Sequence, residues 1–256
     1  MTGPTIGPAD LARAIGQGEI RPIYMNLVDL ATEAVVAREA LARWYRPSGQ
    51  VVAPDDFIPL AEASGLIRDL DLAVAGRAMA DLAVWRRTDP GLRVSVNLSG
   101  HHFADTGSID ALVALADAVD LDPSSVILEL TETVRTDDVE TAASIARRLR
   151  DLGFSLWLDD FGSGYSGLRD LMDLPVDGIK IDRPFAQQLC SDTADAVVEA
   201  TAGLAGRLGV AVTIEGIEQR RQADRALALG CQIGQGFLWP YVAPALSSAG
   251  DAKDQS

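Results

Sequence analysis

Basic side chains are scarce in this sequence: 22 Lys and Arg stand against 37 Asp and Glu, for a formal net charge of -15. That balance argues against broad electrostatic binding to duplex nucleic acid, which needs clustered Lys and Arg to neutralise phosphates. An acidic chain that handles a phosphate must do so locally, with a metal or a few placed cations. Cysteine is almost absent as well. Cys190 and Cys231 lie in different segments without metal-type spacing, which predicts two reduced, mostly packed thiols with no assigned chemistry. No apolar run approaches the roughly 20 uncharged residues that span a bilayer. The opening MTGPTIGPAD has neither the basic nor the apolar part of a signal peptide. A soluble, cytoplasmic protein is expected.

What the sequence does have is regular alternation. Short β-rich runs at Arg93–Ser99, Ser125–Glu132, Phe154–Asp160, Gly178–Asp182, Val210–Glu215 and Gln232–Leu238 alternate with amphipathic stretches at Leu70–Arg86, Val139–Leu152, Ala194–Leu208 and Arg220–Leu229. In one of these, Ile145, Leu149 and Leu152 recur at helical spacing with Arg147, Arg148 and Arg150 between them, a core face against a solvated one. Strand and helix alternating at this pace imply a parallel sheet covered by helices. A doubly wound open sheet would share the pattern, but no G-x-G-x-x-G follows the first run. A TIM-like (β/α)8 barrel is therefore expected, for which about 250 residues is the usual length. The whole chain, 1–256, reads as a single domain, with its core at 10–244 and a small, polar, frayed tail at 245–256.

The polar residues fall at telling places. Each run is apolar until its carboxyl end, where it delivers Asn97, Glu129, the pair Asp159–Asp160, Lys180, Glu215 and Gln235 in turn. In a parallel barrel those ends open on one face, so residues remote in sequence converge on one pocket. A lone Asp or Glu at such a place is ordinarily a helix cap or a solvated loop carboxylate. Six consecutive strand ends are harder to assign that way. Four clustered carboxylates without a cation would cost several kcal/mol in repulsion and desolvation, so a divalent metal is the economical explanation. Oxygen ligands with one amide favour Mg²⁺ or Mn²⁺ over Zn²⁺. The adjacent Asp159 and Asp160 suggest two ions, an arrangement suited to phosphoryl displacement.

These residues sit in longer motifs: Glu39-Ala40-Leu41-Ala42-Arg43-Trp44, DDFIPLAEASGLI (Asp55–Ile67), VNLS (Val96–Ser99), ELTE (Glu129–Glu132), DDFGSGYSGL (Asp159–Leu168), LPVDGIKID (Leu174–Asp182), EGIE (Glu215–Glu218) and QGF (Gln235–Phe237). Together, in this order and at barrel spacing, they resemble the EAL-domain family of bacterial c-di-GMP phosphodiesterases over nearly all of Asp10–Pro244. The resemblance implies that Glu39, Asn97, Glu129 and Asp159 ligate one metal, with Asp159 bridging to a second that Asp160 also holds. It gives Lys180 and Glu215 the positioning and deprotonation of the attacking water, and Gln235 a supporting role. Arg43 would contact phosphate and Asp182 guanine. Glu132 would anchor the Asp159–Gly167 loop, which in the family couples homodimerisation to activity. Hydrolysis of c-di-GMP to linear 5′-pGpG by a two-metal mechanism is the implied reaction, with Mg²⁺ or Mn²⁺ as cofactor. The family's domains often follow sensory or GGDEF domains, so the chain is either a whole protein or one domain of a longer one.

Two stretches depart from the family pattern. Where the family usually reads Tyr-Gln-Pro-Ile-Val-Asp, this chain keeps Tyr24 and Val28-Asp29 but has Met25-Asn26-Leu27 between them. The family Gln contacts the dinucleotide, so Met25 removes a hydrogen-bonding group. Asn26 replaces a proline, and either its own amide fills that role through a shifted backbone or this strand does not read the substrate there. After QGF the family continues with an aromatic and Arg-Pro, whereas here Leu238-Trp239-Pro240-Tyr241-Val242 follows. His101 and His102 read as exposed loop histidines rather than ligands. Trp44 reads as packing; Trp239 reads equally as packing or as a pocket wall that stacks on guanine. The competing reading is an inactive domain that binds c-di-GMP or a partner protein. Such members typically lose metal ligands or the loop motif, and this sequence has both. Another metal hydrolase on the same barrel is a third reading, resting on fold analogy alone.

Overall fold

The computed structural model describes residues 6–103, 107–130, 139–162 and 171–245. The expected Glu132 anchor, most of the Asp159–Gly167 loop and the tail beyond residue 245 lie outside them. Helix α1 (Pro8–Gly16) leads into a long hairpin of β1 (Ile20–Asp29) and β2 (Val35–Tyr45). Asp29 shapes its turn, Oδ1 accepting from the backbone N of Ala31 (3.1 Å) and Thr32 (2.7 Å). The short β3 (Val51–Val52), α2 (Pro54–Ser64) and α3 (Ile67–Trp85) follow. Alternation then sets in: β4 (Arg93–Leu98), α4 (Gly107–Asp117), β5 (Val126–Leu130), α5 (Val139–Asp151), β6 (Ser155–Phe161), β7 (Gly178–Ile181), α6 (Arg183–Gln187), α7 (Asp192–Leu208), β8 (Ala211–Ile214), α8 (Arg220–Ala228), β9 (Ile233–Gln235) and β10 (Tyr241–Val242). The expected strands and helices recur within a few residues of their expected ends. The Gln232–Leu238 run is the exception: β9 stops at Gln235 because Gly236 turns away at φ 152°, where a Cβ would lie 2.2 Å from the Ile217 carbonyl oxygen.

Eight strands close in the order β1-β2-β4-β5-β6-β7-β8-β9 and back to β1, while β3 and β10 pair at the margins. The barrel is TIM-like, as expected, but not wholly parallel. Strand β1 runs antiparallel to both β2 and β9, and every other pairing in the ring is parallel. The turn Leu30–Ala34 is too short for the crossover that a parallel neighbour requires. Among the described residues, no helix is long and apolar enough to cross a membrane.

Alternation along each strand sorts the side chains. On β4, Val94, Val96 and Leu98 face the helices and are buried, while Arg93, Ser95 and Asn97 face inward. The inward side carries an apolar plug of Leu27, Ala37, Ile127 and Trp157. Trp157 needs the room that Gly178 leaves in the adjacent strand, because a Cβ there would sit 2.4 Å from the indole. Outside, the hairpin is tied to α3 by a buried polar contact. The Tyr24 hydroxyl donates to Asp81 at 2.7 Å, the Tyr24 ring meets Trp85 edge-on at 4.7 Å, and the Arg38 guanidinium lies 4.2 Å from the Trp85 ring. Within α5, Ile145 and Leu149 are buried as expected, but Leu152, just past its end, is exposed.

Candidate active site

Carboxyl ends of the parallel strands, together with the middle of β2, assemble the expected cluster. Glu39 faces inward opposite Ser95, Asn97 pairs with Glu129, and Lys180 rises from β7 opposite Thr213. Lys180 is one of two lysines in the chain, with Lys253. Its Nζ is buried among four carboxylates, at 2.5 Å from Glu215, 3.0 Å from Glu129, 3.2 Å from Asp159 and 3.4 Å from Glu39. Asn97 Nδ2 donates to Glu39 Oε1 at 3.1 Å, and Gln235 Nε2 donates to the other Glu39 oxygen.

Consecutive strand residues point to opposite faces, so Asp159 and Asp160 should not both reach one site. The sheet register slips between Leu158 and Phe161, and Asp160 adopts φ 53°. Asp is among the few residues that tolerate this left-handed conformation. The slip brings oxygens of Asp159, Asp160 and Glu215 within 4.8 Å of one another; those of Glu39, Glu129 and Asp159 form a second group of the same kind. Asp159 belongs to both.

The electrostatics follow from burial and crowding. Burial works against the Lys180 charge, but Asp159, Glu129, Glu215 and Glu39 outweigh it and hold the ammonium well above its ordinary pKa. Burial, with Glu39 and Asp159 adding repulsion, pushes Glu129 well above the carboxylate range despite Lys180. Burial likewise raises Glu215 to about 8, against the pull of Lys180. Glu39 goes the other way: burial opposes its charge, yet Lys180 and the donors Gln235 and Asn97 lower it. The wall is thus short of positive charge. Glu129 is fully buried, and its Oε1 has no hydrogen-bond partner among the described residues. An uncommitted buried carboxylate oxygen beside an amide and further carboxylates fits a hard divalent cation. Glu215, expected only to act on water, also offers an oxygen to one of the two groups.

Next to this well lies a cavity of about 260 Å³ lined by residues that include Met25, Leu41, Arg183, Glu218, Phe237 and Tyr241, with Glu39, Asp159, Glu215 and Gln235 at its floor. Phe237 and Tyr241 are exposed, with ring centroids 6.0 Å apart at 49°. The Arg183 guanidinium lies 5.7 Å from the Phe237 ring and pairs with Glu218 at 3.0 Å. Arg183, Glu218 and Tyr241 were missed in the sequence because none ends an apolar run. Arg43 and Asp182 do not line the described cavity: Arg43 Nη1 turns back to the Ala42 carbonyl at 2.8 Å, and Asp182 stands at the N-cap position of α6 without a side-chain capping hydrogen bond.

Several sequence expectations are corrected. Met25 stands opposite Glu39 on β2 and Tyr241 on β10, whereas Asn26 stands opposite Arg38, on the outer face. Asn26 has therefore not replaced the missing Gln; its Nδ2 instead donates to the Pro240 carbonyl at 3.2 Å, tying β1 to the segment that carries Tyr241. His102 is buried, not exposed, with Nε2 3.1 Å from Asp71, while His101 is exposed as expected. Trp44 is packing: it is fully buried, donates to Glu19 at 2.9 Å and meets Phe57 edge-on. Trp239 also packs, its ring against Gly234, and is not among the cavity residues. Of the two thiols only Cys231 is packed, with its pKa pushed up to about 12 by burial; Cys190 is exposed.

Fold and site together define a (β/α) barrel protein with a carboxylate well, able to hold a cation, at the carboxyl ends of its strands. The chain belongs to the EAL domain family, which it matches over residues 9–241. It is 40% identical over 230 residues to the cyclic di-GMP phosphodiesterase PA2567 of Pseudomonas aeruginosa, covering 89% of this chain and 39% of that protein. Among solved structures, the c-di-GMP complex of the PaMucR phosphodiesterase superposes with a TM-score of 0.82 at 33% identity, covering 90% of this chain and 94% of that one. The manganese and c-di-GMP complex of Klebsiella pneumoniae BlrP1 gives 0.75 at 26% identity, over 86% and 55% of the two chains. The chain spans about two fifths of the length of the first curated relatives it matches.

Proposed function

We propose that this chain is a metal-dependent phosphodiesterase that hydrolyses c-di-GMP to linear 5′-pGpG. The observation that carries the reading is the buried, lysine-centred well in which Asp159 belongs to two carboxylate groups at once. Glu39, Asn97, Glu129 and Asp159 would hold one divalent ion, and Asp159 with Asp160 a second, Mg²⁺ or Mn²⁺ in each case. Such a pair supplies a water acidified toward neutral pH and polarises the phosphoryl group.

The chain's own residues do the rest. Lys180 offsets the carboxylate charge and fixes Glu215, 2.5 Å away, beside the attacking water. Glu215 takes the proton as that water attacks phosphorus in line and the opposite 3′ oxygen leaves. Gln235 and Asn97 hold the Glu39 carboxylate in one orientation. The exposed wall made by the neighbouring Phe237 and Tyr241 rings, with the Met25 thioether across from Tyr241, receives a guanine by stacking on its open face in place of the amide contact that Met25 removes. Homodimerisation beside the Asp159–Gly167 loop completes the reading. An apolar groove lined by Phe161, Ala196, Val197, Ala200 and Leu204 supports it as a docking face next to that loop.

Incubation with c-di-GMP, read by chromatography, tests the reaction. With Mg²⁺ or Mn²⁺ pGpG should accumulate. Excess EDTA should stop the reaction and Ca²⁺ should not restore it, since its longer, more numerous contacts space two ions wrongly. Full turnover in EDTA would refute the metal role. Binding of c-di-GMP without any turnover would favour the inactive-domain reading.

A further inference from the structure

The opposite mouth of the barrel carries its own polar cavity. About 500 Å³ in volume, it opens at the amino-terminal ends of the strands and is lined by Arg93 at the start of β4, Ser155 at the start of β6, Asp177 just before β7, and Arg147, Arg150 and Asp151 of α5. On β6 the inward residues run Ser155, Trp157, Asp159, so the Trp157 plug separates this cavity from the carboxylate well above.

Three arginines around one depression are conspicuous in a chain with a net charge of -15, and they are not equally paired. Arg150 is spent on Asp177, with Nε at 3.0 Å and Nη2 at 2.7 Å from Oδ1. The second Asp177 oxygen accepts the Leu156 backbone N–H at 3.0 Å. Asp177 is thereby committed, and Asp151 is an exposed carboxylate at the rim. Arg93 keeps a buried Nε with no hydrogen-bond partner among the described residues, and burial lowers its pKa against the opposing pull of Asp177. Leaving a buried N–H without an acceptor is costly. Ser155 adds a hydroxyl: its Oγ accepts from Trp157 Nε1 at 3.1 Å, which leaves the O–H to donate.

We propose that this cavity binds a small phosphoryl anion, held by Arg93 and Arg147 in charge-assisted hydrogen bonds with Ser155 as a third donor. Its volume falls in the range of small-molecule sites and exceeds the need of a bare phosphate, so a mononucleotide phosphate is also accommodated. The proposal is independent of the reaction assigned to the upper mouth.

The test is amide NMR of the full chain in excess EDTA, where the carboxylate well repels anions, with inorganic phosphate and GMP as separate probes. Saturable shifts centred on the amides of Ser124, Gly153 and Ser155 are expected with millimolar probe. Arg147→Glu, at an exposed position that does not threaten folding, should weaken binding at least tenfold, and Arg93→Gln should abolish it. Arg207→Gln, on the outer helix α7, should change the affinity less than twofold. Equal affinity for both probes means that the phosphoryl group alone is read; tighter GMP means that the remaining volume is used; either supports the site. No saturable shift in the wild type, shifts centred elsewhere, or binding unchanged by Arg147→Glu would overturn it.

Discussion

Asp159 has the most to do per atom in the well, since it belongs to both carboxylate groups and its Oδ1 lies 3.2 Å from Lys180 Nζ. Asp159→Ala should remove turnover while leaving the fold intact, because the apolar plug and helices beneath it are untouched. Circular dichroism with single-turnover assays checks this, and near wild-type rates would refute the bridging role. Met25 tests the substrate side. Met25→Gln restores a donor and an acceptor to the cavity wall, and one net hydrogen bond of about 1 kcal/mol is worth several-fold in affinity. KM should fall by that factor with kcat unchanged, since a contact remote from phosphorus binds ground and transition states alike. Asn26→Ala should act differently. It loosens the hold on Pro240, so any rise in KM is expected to vanish in a Tyr241→Ala background, where the stacking wall is already gone.

At the scale of elements, the slip in β6 and the packing of Trp157 fix the geometry that the residues use. Strand β6 spends one extra position before Phe161 meets Ile181, setting the two residues Asp159 and Asp160 against the single Lys180 of β7. Lower on the same strand, the Trp157 indole lies over Gly178 with no space for a methyl group. Gly178→Ala should therefore cost about 1–3 kcal/mol by overpacking and move the β6–β7 pair on which Asp159 and Lys180 ride. Urea unfolding measures the first effect. A variant as stable as the wild type would show that the plug tolerates expansion and does not set the site. The hairpin contributes a different constraint: because β1 runs against its neighbours, Met25 and Tyr241 meet face to face at the cavity rim although 216 positions separate them in the chain.

For the molecule as a whole, the acidic balance bears on association. A net charge of -15 opposes pairing of two copies, but screening acts over about 8 Å at physiological salt, so the opposition is weak there and stronger at low salt. Sedimentation should show a dimer whose fraction rises with ionic strength, together with activity. A strictly monomeric and fully active chain would refute the proposed coupling. The two mouths of the barrel also differ in character, a carboxylate well above and an arginine-lined cavity below, divided by the apolar layer of Leu27, Ala37, Ile127 and Trp157.

Much of this was legible from the sequence. Period-two and helical patterning placed the strands and helices from Arg93 onward, and polar residues closing apolar runs marked Asn97, Glu129, Asp159, Lys180, Glu215 and Gln235, because the strand face packed on the helices is apolar and the carboxyl ends of parallel barrel strands open on one pocket. Glu39 came from motif resemblance instead, since it lies in the middle of β2 and ends no run. Only the tertiary structure decided the rest. A short turn reversed β1; a register slip and a left-handed Asp160 turned two neighbouring carboxylates to one site; the face on which Asn26 stands excluded it from the cavity. Arg183, Glu218, Tyr241 and the lower arginines became neighbours only through the closure of the ring. Local sequence fixes which way a side chain alternates, whereas pairing partners and register are set by contacts between distant segments, and those determine what each side chain meets.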